Sequence, residues 1–431
     1  MLDWFSRLMR RPDAAPVPPA GAAATATAVA PMQAPAFGQR KPLVGRSGRV
    51  EAFELRLPGA IEQRLGDQAA GAAAAAHYAA LLAAAAGVQT ARQALAQVPA
   101  PLLDRPGVIA QVAKGVLLLP VGGMPTAASL QALRARGARL GVPDGPPDRA
   151  PGAEFVLLRA AAGGVDTLLL SAQRWAEARP GLPLVALGLE NIDDVERALA
   201  SGIAYAGGRF NAADIAAPTR PLQAGAVRIC GLLNDLALDR DTTVVAEAVR
   251  GDVALSYRLL RYANSPAIGL SRGVETVENA VTVLGRAELG RWLSVMLLSA
   301  ASGRQASAAL QEEALARGRL LELLARARGV EQADRLFTVG LLSRLHLLLR
   351  IPLRSALEPL RLSDEARRAL LDRAGPWADY LALADELEGD DEDRFGALCL
   401  PFGGIDTVLA LAEQAWGWAA GVTQQAASPS I

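Results

Sequence analysis

The stretch from Asp252 to Ser299 constrains this chain most, because it spells out helix ends and helix starts in close succession. Val253, Tyr257, Leu260 and Arg261 recur at helical spacing, and Asn264-Ser265-Pro266 supplies a left-handed C-terminal residue followed by a proline that cannot continue the helix. A second helix is expected from Thr276, an N-cap residue, through Ala280, Val281 and Leu284 to Gly285, where positive φ is open to glycine. A third follows with Leu289, Trp292, Leu293, Met296 and Leu297 on one stripe. Helices with matching apolar faces this close together must bury them against one another, so this half of the chain reads as all-α.

The chain has 431 residues, 51% hydrophobic and 20% charged, enough for two cores plus tails. Lysine plus arginine and aspartate plus glutamate are both 44, so the net charge is zero and the footprint of a general nucleic-acid binder is missing. Cys230 and Cys399 show no metal-ligand spacing and are too few for a disulfide framework, which fits a reducing cytoplasm.

Residues 1–47 read as an N-terminal extension. Leu2, Phe5, Leu8 and Met9 share a helical face opposite Arg7, Arg10 and Arg11, a small amphipathic helix suited to weak membrane-surface contact or to docking on its own domain. The arginines interrupt any signal-peptide core. Pro12 to Pro42 is a Pro/Ala-rich linker. Gln68 to Ala91 is uncharged but mostly alanine, so a helix within the domain is expected rather than a membrane span, with His77 on its face.

Residues 48–220 alternate strand-like and helix-like segments. Strands are expected at 50–57, 115–121, 154–160, 182–190 and 203–208 with helices between several of them, the pattern of an α/β barrel or a doubly wound sheet. In a barrel, chemistry belongs at the C-terminal strand ends, and the region is shorter than the roughly 250 residues of a full barrel. Residues 221–420 form the helical domain, ending in a helix from Asp406 with Leu409, Ala412, Trp416 and Ala419 on one face, and 421–431 read as a flexible tail. Glu386 to Arg394 reads as a solvated acidic loop.

The run LLRYANSP, then TVENAVTVLG and a long apolar helix, resembles the signature of the HDOD domain, a helical relative of the HD phosphohydrolases in bacterial signalling proteins. Asn264, Ser265, Pro266, Leu284 and Gly285 carry the match, which extends through residues 337–371. EAFELRLPG and VALGLENIDDVERALASGIAYAGGRF resemble the opening and late segments of the EAL domain, a barrel that hydrolyses cyclic di-GMP, and an EAL domain followed by HDOD is a known bacterial architecture. The resemblance implies a two-metal site. Carried over residue by residue, Glu54 matches the signature Glu and Glu190 the second late Glu. Leu187, Gly207, Leu157 and Arg159 stand where a Glu, a Gln, a Lys and an Asp belong, and the Asp-Asp-Phe-Gly element is reduced to Asp144-Gly145. Pro58 replaces the phosphate-binding arginine, with Arg56 on the same strand face as Glu54.

One count needs no alignment: no Asp, Glu or Asn lies between Asp104 and Asp144, and the first Asn is Asn191, so a paired-metal site drawing on the second and third strands is not expected. The HD chemistry fails likewise. His77 and His346 are the two histidines, neither with a His or acidic residue one turn away, and Asn264 reads as a helix cap. The expectation is a degenerate barrel-like EAL domain followed by an HDOD domain, cytoplasmic, without metal or cofactor and not an enzyme. A scaffold for protein partners is expected, and the resemblance implies cyclic di-GMP-related regulation of motility, pili or biofilm. The alternatives are a receptor that binds cyclic di-GMP without cutting it, through Glu54, Arg56 and Glu190, and a residual phosphodiesterase.

Overall fold

In the computed structural model, the described residues run from 39 to 427 except 58–60, 62–64, 66–70, 89–91, 151, 161–163, 212–221, 265–267, 269–272, 301–303, 332 and 390. The amphipathic segment 1–11, most of the linker, Pro58, Ser265 and Pro266 lie outside them.

Eight strands close into a barrel in sequence order: β1 Gln39–Gly45, β2 Val50–Arg56, β3 Gln93–Pro99, β4 Leu117–Val121, β5 Arg139–Pro143, β6 Phe155–Arg159, β7 Leu184–Leu189 and β8 Tyr205–Gly208. From β2 to β8 neighbours are parallel; β1 is antiparallel to both β2 and β8 and seals the ring. The ring of strands is therefore closed although the region is shorter than the roughly 250 residues of a full barrel. β1 begins inside the Pro/Ala-rich run, ahead of the boundary at residue 48, and reaches β2 through a tight turn. β3 and β5 escape the sequence reading because QALAQVP and RLGVP lack a run of branched apolar residues. Leu43, Leu95, Leu117, Phe155, Leu157 and Leu187 fill the barrel interior. A Cβ on Gly141 would lie 2.2 Å from the Phe155 ring, its partner on β6, so the small residue makes room for the large one.

Helices α1 Ala72–Val88, α2 Ala127–Ala135, α3 Gly164–Ala178 and α4 Ile192–Ala200 surround the strands. α1 is the expected alanine-rich helix. Asp144 accepts hydrogen bonds from Trp175 Nε1 and Arg174, both at 2.9 Å, and pegs α3 to the end of β5.

The rest is helical: α5 Ala224–Ala237, α6 Thr242–Arg250, α7 Val253–Ala263, α8 Val277–Ala300, α9 Ser307–Ala327, α10 Ala333–Leu342, α11 Ala378–Glu388, α12 Glu392–Cys399 and α13 Ile405–Ala427. Thr276 caps α8, and Gly285 (φ 71°, ψ 171°) kinks it where the sequence placed a helix end. Leu289, Trp292, Leu293, Met296 and Leu297 are buried as expected. Asn264 ends α7, but at φ −85° rather than left-handed, because its side chain does the capping: Nδ2 donates to the carbonyls of Leu260 (2.9 Å) and Val274 (2.7 Å). α7 buries Leu255, Leu259 and Tyr262; the stripe read from Val253 and Tyr257 faces outward. α13 buries Leu409, Ala412, Trp416 and Ala419 and continues to Ala427, past the expected start of the tail, since nothing from Gly421 to Ala427 breaks a helix.

The domains interlock. Gly48 in the β1–β2 turn has φ 75°, and a Cβ there would lie 1.7 Å from the Gln305 carbonyl oxygen; its own carbonyl accepts from Ala309 N at 3.0 Å. Arg92 donates to Glu312 Oε2 at 2.9 Å, and Phe53 meets Trp416 edge to face at 5.3 Å. No single described helix is long and apolar enough to cross a membrane, and the apolar pair α12 and α13 bends by 85°.

Candidate functional site

The parallel strands bring their C-terminal ends to one mouth, where a cavity of about 690 Å³ opens. Glu54 and Arg56 reach it from β2, Arg159 from β6, Glu190 from just beyond β7, Arg209 from beyond β8 and Lys41 from β1. Lys41 is the cross-strand partner of Glu54. Glu388, at the end of α11, completes the wall from the helical domain, and Lys41 Nζ ties the two together by donating to the Gly389 carbonyl at 2.8 Å.

Glu54 is 4% exposed and hydrogen-bonded: Gln97 Nε2 donates to its Oε1 at 2.8 Å, and Arg56 Nε stands 3.8 Å from the same oxygen. Arg159 donates to Gln97 Oε1 at 2.7 Å, so guanidinium, amide and carboxylate form a chain along the mouth. Alternation along β6 explains the placing: Leu157 points into the barrel interior and Arg159, two residues on, reaches the rim. Glu190 is exposed. Asn191, next to it, is the N-cap of α4, accepting from Asp194 N at 2.9 Å.

The three sequence-derived residues Glu54, Arg56 and Glu190 thus share one cavity. Sequence reasoning passed over Gln97, Lys41, Arg209 and Glu388. Lys41 was hidden in the linker reading, and Glu388 comes from the stretch read as a solvated loop. It is instead paired, with Arg317 at 3.2 Å and with Arg344.

Two divalent metals need several carboxylates facing one space with little competing charge. Here four cationic side chains line the space beside Glu54, Glu190 and Glu388, and the buried Glu54 already has an amide and a guanidinium beside it. This donor set does not fit a two-metal centre. It fits an anion.

In the helical domain, α9 carries buried Glu312, Glu313, Arg317, Arg319 and Glu322 along its core side. Each has a partner: Arg344 with Glu313 at 3.1 Å, Arg319 with Glu322 at 2.8 Å, and Arg317 with Ser343 at 2.9 Å and Glu388. Burial works against charge on Glu322, yet Arg291, Arg319 and Arg326 hold its carboxyl below the usual range; burial likewise opposes Asp385, which Arg317, Arg344 and Arg373 hold down. Arginines thus pair with the carboxylates throughout this cluster. His346 lies near the same cluster. Burial, then the charge of Arg344, pushes its imidazole down to about 4, so it stays neutral.

Fold and site define a two-domain protein: an α/β barrel with a polar mouth, capped by an all-helical domain. Residues 220–358 match the family described as "HDOD domain", so the helical part carries an HDOD domain. The chain is 29% identical over 170 residues to "Uncharacterized protein YuxH" of Bacillus subtilis, covering 39% of this chain and 42% of that protein. It is 29% identical over 164 residues to "Cyclic di-GMP phosphodiesterase CdgJ" of Vibrio cholerae, covering 38% of each. The chain therefore spans about two fifths of the length of these curated relatives. Among solved structures it is similar to the "EAL domain Protein from Listeria monocytogenes EGD-e", at 11% identity and a TM-score of 0.32, covering 40% of this chain and 85% of that one. The HDOD half of the arrangement read from the sequence recurs in the family match.

Proposed function

We propose that this protein is a cytoplasmic, non-catalytic scaffold in cyclic di-GMP-related signalling that binds protein partners through its helical domain. The observation that carries this reading is the shell around Glu54: the carboxylate that would anchor a metal is engaged by Gln97 and Arg56, and Arg159 braces Gln97. A partner surface is supported by α7, where Val253 and Tyr257 are 84% and 57% exposed one turn apart. Val253→Asp combined with Tyr257→Ala should cut binding of a protein partner at least tenfold while leaving the fold intact; a partner held with unchanged affinity would count against this surface.

A second reading has its own observation. Lys41, Arg56, Arg159 and Arg209 around about 690 Å³ suit a dianionic nucleotide, which makes the barrel a receptor for cyclic di-GMP without turnover. Calorimetric titration of the full chain with cyclic di-GMP in Mg²⁺ buffer separates the readings. Saturable heat that Arg159→Ala weakens supports the receptor; a flat titration leaves the scaffold alone.

A further inference from the structure

A second cavity, of about 550 Å³, lies in the helical domain between α5, α8, α10 and the segment around residues 360–363. Leu236, Val339, Leu342, Leu360 and Trp377 give its lining an apolar part. The lining also carries four arginines against two aspartates, Asp239 and Asp334. Arg286 is engaged by Asp239 at 3.5 Å and by backbone carbonyls, and Arg291 by Glu322. Arg335 on α10 and Arg361 on the facing segment are exposed at the opening. That segment is pinned: Asn234 Nδ2 donates to the Pro359 carbonyl at 2.5 Å and its Oδ1 accepts from Arg361 N at 2.6 Å, which fixes the backbone that presents Arg361.

Gly290 lies inside α8 on the cavity wall. A glycine inside a helix is less favourable there than alanine. Packing does not demand it, because the nearest neighbour of an added Cβ would be Leu236 Cδ1 at 3.8 Å, an ordinary contact. A larger side chain at this position would project into the cavity that Gly290 lines.

We propose that this cavity is a ligand site for an amphiphilic organic anion, its apolar body against Trp377 and Gly290 and its acid group between Arg335 and Arg361. The volume lies in the range of small-molecule sites, and an apolar lining with a few convergent charges is their usual make-up. The site is separate from the barrel mouth and does not depend on the function proposed for it.

The test is a fluorescence titration of the full chain with 8-anilinonaphthalene-1-sulfonate, alongside neutral N-phenyl-1-naphthylamine. One saturable site is expected for the sulfonate, at least tenfold weaker for the neutral amine. The charge reversal Arg335→Glu/Arg361→Glu should weaken the sulfonate at least tenfold, and Gly290→Phe should abolish its binding with the circular dichroism spectrum unchanged. If Gly290→Phe fails to fold, the charge-reversal pair at exposed positions decides. Equal binding of sulfonate and amine, or wild-type affinity in the folded charge-reversal protein, would overturn the proposal.

Discussion

Arg304 Nε donates to Glu196 Oε1 at 3.2 Å, joining the segment before α9 to α4 of the barrel. The guanidinium also donates to the Leu347 carbonyl at 3.1 Å and pairs with Asp193, while Glu196 accepts from Ala306 N at 2.9 Å. One buried arginine thus joins both domains. Arg304→Ala is expected to cost about 2–3 kcal/mol, below the full penalty for a broken buried pair because Asp193 is partly exposed. The check is urea denaturation followed by fluorescence: the midpoint should fall, and an unchanged midpoint would show that the domains hold without this clamp.

A closer approach joins α9 and α10. A Cβ on Gly340 would lie 2.6 Å from Gly318 Cα, so the helices touch through paired glycines. Gly340→Ala must push them apart and should destabilise the chain by about 1–3 kcal/mol, the usual cost of overpacking. Thermal unfolding measures this, and an unchanged midpoint would contradict the geometry.

His346 gives a pH dependence whose sign is fixed. Its folded value is down near 4 against an ordinary value of 6.5, so between these limits the unfolded chain binds the extra proton. Stability should therefore fall as pH drops from about 6.5 to about 4. Arg344, Arg373 and Arg317 all act on this imidazole in the same direction. His346→Gln should flatten that part of the stability profile, and a variant with the wild-type slope would assign the slope to other groups.

Burial pushes the Cys230 thiol up to about 11 and Cys399 up to about 12. Since the thiolate is the reactive form, both should resist 5,5′-dithiobis(2-nitrobenzoate) at pH 8 in the folded protein and react on unfolding in guanidinium. Rapid reaction of the native chain would contradict the burial.

The sequence made the helix ends at Asn264, Thr276 and Gly285 legible because caps and positive-φ glycines are local signals. It made five barrel strands legible, three of them (β4, β6 and β7) through runs of branched apolar residues. β1 was not legible: a strand of QRKPLVG inside a Pro/Ala-rich run has neither alternation nor β-rich composition. α9 was not legible either. Five buried charges on one helix look like a solvated face until their partners, sometimes more than 200 residues away as with Arg92 and Glu312, are in place. At the mouth, Glu54, Arg56 and Glu190 were found by motif. Gln97, Lys41, Arg209 and Glu388 join them through strand order and domain packing, which no local pattern encodes.

The proposed non-catalytic role predicts that the barrel does not cut cyclic di-GMP, and chromatography of the full chain incubated with cyclic di-GMP and Mn²⁺ measures this most directly. No linear dinucleotide above the enzyme-free blank is expected, for the wild type and for Glu54→Ala alike. Mn²⁺-dependent formation of the linear product by the wild type, lost in Glu54→Ala, would contradict the account.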